Sequence, residues 1–301
     1  MIAYPKISPD IVSLGPITLR WYGLMYVIGF VIGFHILKAR IRAGFMKVSL
    51  ELADTYITYV VIGMLLGARL VYVFVYNWPY FSVNPGEILK VWTGGLSFHG
   101  AALGMMIASW IYARVYNVNF LSVLDTLAIC APCGLFCGRI GNFINAELYG
   151  RVTDVPWAMV FPTDPQQLPR HPSQLYQAAT EGVLLLLVLV LSHKKLLRAG
   201  KLKNGLLAAI FVGTYGVLRF FVEFARQPDA QFASPENPMG TVLGPFSMGQ
   251  VLCFLMILIS IAQWIYVTKT QAPVSPKPLK AGQIEDAGPN AFERFVAKFV
   301  A

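Results

Sequence analysis

Long apolar runs, broken by short segments rich in basic residues, glycine or proline, set the pattern of the chain. Runs close to the length needed to cross about 30 Å of hydrocarbon fall at 21–37, 56–76, 96–113, 121–139, 175–191, 205–224 and 246–267. The pattern predicts an all-α integral membrane protein with seven transmembrane helices. Lys38, Arg40, Arg42 and Lys47 follow the first run, Arg114 the third, and Lys194, Lys195, Arg198, Lys201 and Lys203 the fifth. The alternate loops carry only Lys90, Arg151, Arg170 and Arg226. Lys and Arg accumulate in cytoplasmic loops, so the N-terminus is expected outside and the C-terminus in the cytoplasm. Lys6 and Arg20 in the outer segment weaken this only slightly.

Composition narrows the class further. Of 301 residues, 56% are hydrophobic and 13% charged, against about 25% charged in soluble domains; a water-soluble globule is excluded. The 26 glycines and 19 prolines are scattered through apolar runs, which excludes collagen-like, disordered and coiled-coil classes. A net charge of +9 would suggest nucleic acid in a soluble protein. Here the basic residues lie in short loops and report sidedness, so no nucleic-acid partner is expected. No cleavable signal peptide is expected either: the first 19 residues hold Pro5, Pro9 and Pro16 without an apolar core, and the first run ends in Lys38-Ala39-Arg40 rather than at a small-residue cleavage site.

Two parts follow from this reading. The transmembrane part, 1–267, includes an irregular extracytoplasmic cap at about 141–172, marked by Pro156, Pro162, Pro165, Pro169 and Pro172. The rest, 268–301, is a polar cytoplasmic tail. Within it Phe292, Phe295, Val296 and Phe299 recur at helical spacing opposite Arg294 and Lys298, with Asn290 and Glu293 placed to cap the start. That segment is either a disordered tail or an amphipathic helix on the inner leaflet.

Ionisable residues inside apolar runs are candidates for function, because each costs about 2.5–3.5 kcal/mol to insert. Arg69, Arg139 and Arg219 stand late in outward-running segments, while Tyr22 and His99 stand early in inward-running ones. All five are therefore expected in one layer near the outer headgroups. Tyr215, Arg219 and Glu223 are spaced four apart and form one helical stripe with an Arg219–Glu223 ion pair; an internally neutralised structural pair is the blander account. Arg69 either snorkels or pairs with Asp125 or Glu181.

The densest polar run is 138–150, where Arg139 offers a planar fork for phosphate or carboxylate oxygens and Asn142, Asn145 and Glu147 can fix that fork or bind hydroxyls. Upstream of the third run, Gly94-Gly95-Leu96-Ser97-Phe98-His99-Gly100 provides a flexible entry and an imidazole suited to accept a proton near neutral pH. His171, in the outer connection, is placed to close over the same layer. Cys130, Cys133 and Cys137 share one helical face. They read either as a redox motif or, more simply, as small side chains packed between helices. No metal site or cofactor is expected.

The run from Gly138 to Gly150, Gly-Arg-x-Gly-Asn-Phe-x-Asn-x-Glu-x-x-Gly, resembles the signature of the bacterial prolipoprotein diacylglyceryl transferase family. The resemblance extends through Leu19-Arg20-Trp21-Tyr22-Gly23-Leu24-Met25-Tyr26, Gly95-Leu96-Ser97-Phe98-His99-Gly100, Arg170-His171-Pro172-Ser173-Gln174-Leu175-Tyr176 and the stretch from Arg219 to Asp229, and covers about residues 10–267. Ala101 departs from it, since relatives usually carry a second glycine after the His-Gly pair. The tail lies outside it.

The resemblance implies a multi-pass enzyme of the bacterial plasma (inner) membrane, active on its periplasmic side. Such an enzyme transfers the diacylglyceryl group of phosphatidylglycerol to the lipobox cysteine thiol of a preprolipoprotein, the first step of lipoprotein maturation. The products are a thioether and glycerol-1-phosphate. The expected partners are phosphatidylglycerol, the precursor's signal peptide with its lipobox cysteine, and the bilayer. The residues then read as catalytic His99, Arg139 and Arg219, with Tyr22, Asn142, Asn145, Glu147, Gly150, His171, Tyr215 and Glu223 binding substrate alongside the two arginines. His99 either takes the thiol proton or only positions a partner. Two rival classes remain for test: a transporter, which predicts an internal repeat and polar residues through the full membrane thickness, and a thiol–disulfide oxidoreductase resting on the cysteines.

Overall fold

The computed structural model describes residues 2–15, 17–91, 94–228, 237, 240–276, 278 and 289–300. A hairpin of β1 (Asp10–Leu14) and β2 (Ile17–Arg20) runs directly into α1 (Trp21–Arg42). Next come α2 (Leu52–Val71), extended by a π turn at Tyr72–Tyr76, then the short α3 (Trp78–Val83) and a 3-10 turn at Pro85–Glu87. The chain continues through α4 (Phe98–Val115) and α5 (Phe120–Ile144), and the following connection contains the two-residue strands β3 (Met159–Val160) and β4 (Pro169–Arg170). Helix α6 (Ser173–Gln177) passes through a π turn at Ala178–Leu184 into α7 (Leu185–Arg198). Helix α8 (Leu206–Val222), the strands β5 (Thr241–Leu243) and β6 (Phe246–Ser247), α9 (Met248–Thr270) and α10 (Ala291–Val300) complete the order.

Among the described residues, five helical segments are long and apolar enough to cross a bilayer: Trp21–Arg42, Leu52–Tyr76, Phe120–Ile144, Ser173–Arg198 and Met248–Thr270. The protein is thus mostly helical and multi-pass. The expected third and sixth spans form shorter helices, α4 with 18 residues and α8 with 17. Boundaries also shift. Arg40, expected in a loop, lies in the last turns of α1, 2% exposed, with its guanidinium 4.2 Å from the Phe45 ring centre and Nη1 3.4 Å from His193 Nδ1. Helix α5 runs on past Arg139 to Ile144, so the start of the polar signature is helical. The last span begins at Met248, where Ser247 and Gln250 form a capping box.

Three tight helix pairs build the bundle: α2 with α4, α1 with α5 and α8 with α9. Small residues set the first, as expected where lipid supplies no hydrophobic drive between helices. Gly63 and Gly67 of α2 face Gly100 and Gly104 of α4 so closely that a methyl on Gly104 would overlap the Gly63 carbonyl oxygen. In the second, Gly29 and Gly33 of α1 meet Gly134, Cys137 and Cys130 of α5, and the Cys130 thiol donates to the Gly33 carbonyl at 3.4 Å. The cysteines are free thiols and fill helix contacts. Asp125 does not reach Arg69; its carboxylate instead accepts from the backbone N–H of Gly205 and Ala208, both at 2.8 Å, and so caps α8 from a neighbouring helix.

Candidate active site

The last turns of α5, the π turn after α6 and the end of α8 bring three guanidiniums around two buried carboxylates. Glu181, 0% exposed, lies between Arg139 (Nη2 to Oε2, 3.8 Å) and Arg219 (Nη1 to Oε1, 3.5 Å). Arg219 also pairs with Glu223 at 3.0 Å, on the i,i+4 stripe that the spacing predicts, and donates to Gln177 Oε1 at 3.1 Å. Arg226 approaches Glu223 from the other side at 3.6 Å. Arg219 is thus shared by two carboxylates, whereas Arg139 has one longer ionic contact and a 3.4 Å bond to Asn142 Oδ1. Arg139 is the guanidinium with donors to spare for an incoming anion. Tyr215, one turn before Arg219, lies within electrostatic reach of Glu181, Arg219 and Arg139.

The π turn explains how Glu181 reaches both arginines. An extra residue in the turn rotates the side chains beyond it, as π-bulges at functional sites do. Gly182 lets this turn lie against α5, since a methyl there would stand 2.7 Å from Phe136 Cβ.

Beyond Arg139 the signature folds back on itself. Asn142 and Asn145 donate to Glu147 Oε1 at 2.8 and 3.3 Å, and Gln174 donates to the Glu147 carbonyl at 2.6 Å. Ala146 and Leu148 take positive φ values of 54° and 56°, a conformation non-glycine residues rarely hold and one that clusters at functional sites. Gly141 admits Tyr22 from α1, as a methyl there would be 2.9 Å from the ring. Tyr22 faces Asn142 and Glu147, with its hydroxyl 3.1 Å from that of Tyr26.

Gly150 is where backbone meets backbone. Its N–H donates to the His171 carbonyl at 2.8 Å, and a methyl would overlap the Ala225 carbonyl oxygen. His171 Nδ1 lies 3.1 Å from the Tyr176 hydroxyl, and burial lowers its pKa. Its neighbour Arg170, 3% exposed, holds Asp164 with a two-point grip at 2.6 and 3.1 Å and donates to Gln166 at 2.7 Å and Gln227 at 2.5 Å. Those hydrogen bonds from Arg170 hold the Asp164 carboxyl below the usual carboxylate range.

Two candidates make no hydrogen bond or ion pair with this cluster among the described residues. His99, exposed in the first turn of α4, has Nδ1 3.1 Å from the Tyr76 hydroxyl. Among the described residues no hydrogen bond or ion pair joins it to Arg139 or Arg219. Among the described residues Arg69 finds no carboxylate, and its burial shows that it does not snorkel. It is 5% exposed and donates to the carbonyls of Glu87, Ile88, Lys90, Gly94 and Gly95 at 2.7–3.2 Å. Arg69 therefore shapes the segment that leads into His99. Gly95 must be glycine there: its φ is +72°, and a side chain would collide with Tyr72. Ser97 then caps α4 by accepting from the Gly100 N–H at 3.1 Å.

Glu181 and Gln177 belong to the cluster but were not among the sequence candidates for it. The signal was present, because Glu181 is an acid inside an apolar run and meets the criterion that selected the arginines. Asp229, the last residue of the family-like stretch, lies outside the described residues.

Fold and site together define a multi-pass helical membrane protein with a buried guanidinium–carboxylate cluster at the ends of its helices. The family model described as prolipoprotein diacylglyceryl transferase matches residues 9–266. The phosphatidylglycerol–prolipoprotein diacylglyceryl transferase of Ectopseudomonas mendocina is 45% identical over 271 residues, covering 90% of this chain and 98% of its own. The proteins of the same name from Azotobacter vinelandii and Nitratidesulfovibrio vulgaris are 46% and 42% identical, over 86% and 87% of this chain and 93% and 95% of theirs. The chain belongs to the prolipoprotein diacylglyceryl transferase family.

Proposed function

We propose that this protein is a phosphatidylglycerol–prolipoprotein diacylglyceryl transferase of the bacterial inner membrane. The substrate thiol attacks the glyceryl carbon that carries the phosphate ester. The carbon–oxygen bond breaks, a thioether forms, and the phosphate leaves as glycerol-1-phosphate. The lipobox cysteine of a preprolipoprotein supplies the thiol, in the first step of lipoprotein maturation. The observation that carries the reading is the Arg139–Glu181–Arg219 bridge within a chain that matches the family from residue 9 to 266.

Negative charge grows on the bridging oxygen as the carbon–oxygen bond breaks, and fixed guanidiniums in a site of low dielectric stabilise it. Arg139, held only by one long ionic contact and one 3.4 Å bond, receives the phosphate; Arg219, held by Glu181, Glu223 and Gln177, is the rigid second arm. Tyr22, Asn142, Asn145, Glu147, Tyr215 and Glu223 orient the headgroup or the arginines. Gly150 and His171 tie the outer connection to the end of α8. A thiol of pKa about 8.5 is only a few per cent thiolate at neutral pH, so a base contributes about 10²–10⁴-fold. His99 is the proposed base: with Nδ1 on Tyr76, its Nε2 edge is presented to the thiol. Base and phosphate clamp then sit on different helix pairs, and the two substrates meet between them.

In this reading α4 and α8 also cross the bilayer, making seven spans. The N-terminus and the 141–172 cap face the periplasm, the 268–301 tail faces the cytoplasm, and 1–267 forms the catalytic domain. Purified protein incubated with phosphatidylglycerol and a lipobox signal peptide tests the function. Mass spectrometry is expected to show a diacylglyceryl adduct on the peptide cysteine, and its absence with active lipid and intact peptide refutes the assignment.

A further inference from the structure

Helix α10 lies beyond the family match, which ends at residue 266, and it has two unlike faces. One face is docked. Glu293, whose side chain is 4% exposed, pairs with Arg42, with His35 Nδ1 at 3.0 Å and with Lys38 Nζ at 4.0 Å, all at the end of α1. Val296, 8% exposed, joins an apolar cluster with Ile36, Ala39, Phe45 and Val190. Asn290 fixes the start by accepting from the Glu293 N–H at 2.8 Å.

The other face is open. Phe292, Phe295 and Phe299, spaced to share one side of a helix, are 43%, 58% and 44% exposed. Arg294 and Lys298 flank them, exposed, and Lys194 at the end of α7 lies 5.3 Å from the Phe299 ring centre. Three phenylalanines in water would be costly, and here they stand outside every span, beside the Lys/Arg-rich ends of α1 and α7. An apolar stripe bordered by cations matches the boundary between acyl chains and anionic headgroups.

We propose that α10 is a foot that binds an anionic phospholipid surface, with Phe292, Phe295 and Phe299 entering the acyl boundary and Arg294 and Lys298 meeting the headgroups. Glu293 and Val296 fasten this foot to α1, so it holds the helix ends at the membrane surface.

The test uses the full-length protein in nanodiscs of phosphatidylcholine alone or of phosphatidylcholine mixed with phosphatidylserine, an anionic lipid outside the proposed reaction. Hydrogen exchange of the 290–301 peptide is followed by mass spectrometry. Exchange is expected to be about 30-fold slower in the anionic discs, as two cations near a charged surface imply. The double variant Arg294→Gln/Lys298→Gln should lose that difference and keep the protection seen in neutral discs. Equal exchange of the wild type in both discs, or an undiminished lipid dependence in the double variant, overturns the proposal; the first result would mean that the helix docks on protein alone.

Discussion

Replacing Glu181 by glutamine removes one buried charge while preserving size, and it tests whether the carboxylate sets the two arginines. At an effective dielectric of about 20, contacts of 3.5 and 3.8 Å correspond to gross attractions of roughly 4–5 kcal/mol each. Much of that is offset, because the carboxylate no longer has to be desolvated, and the amide oxygen still accepts from Arg219. A net loss of about 2–3 kcal/mol in transition-state stabilisation remains, equivalent to about 30- to 150-fold in kcat/KM. The loss should fall on kcat, since Arg139 relieved of its carboxylate still attracts a phosphate but is no longer aimed. The assay is transfer from phosphatidylglycerol to a lipobox peptide, with Glu181→Asp as a partial rescue. Wild-type kcat in Glu181→Gln, in protein of unchanged thermal stability, would refute the positioning role.

Arg139→Lys keeps the charge but loses the planar fork; activity should fall at least about 100-fold, and near-normal turnover would count against the phosphate clamp. His99→Gln should lower turnover and remove one limb of the pH–rate profile, whereas an unchanged profile with most turnover retained excludes it as the base. Asp164 has a folded pKa below its unfolded value of about 3.9, so its contribution to stability is present above that value and is lost as pH falls through the folded pKa. Backbone amide protection across 150–171, taken relative to the intrinsic exchange rate at each pH, should therefore fall on acidification. Asp164→Asn should show the reduced protection already at neutral pH, by about 3–5 kcal/mol. Gly104→Leu should prevent α2 and α4 from closing and lower thermal stability sharply, read by thermal unfolding in detergent.

Much of the site was legible in one dimension because membrane insertion penalises each charge separately. Arg139, Arg219 and Glu223 stood out by type and spacing alone. Glu181 was visible by the same criterion, but its partners were not, since they depend on a π turn that has no sequence periodicity of its own. Arg69 met the criterion as well and proved to hold five backbone carbonyls, a role that no pattern of side chains announces.

What the sequence determined by itself is therefore the solvent of each segment. Apolar runs must enter lipid, basic loops mark their ends, and the Gly-Arg-x-Gly-Asn signature carries the family. Tertiary structure decided which charges meet: Glu181 between two arginines, Asp125 on the N-terminus of α8, and Glu293 on the end of α1. The physical reason is range. Transfer from water to lipid acts on one segment at a time, whereas an ion pair requires two distant segments to arrive within about 4 Å of each other.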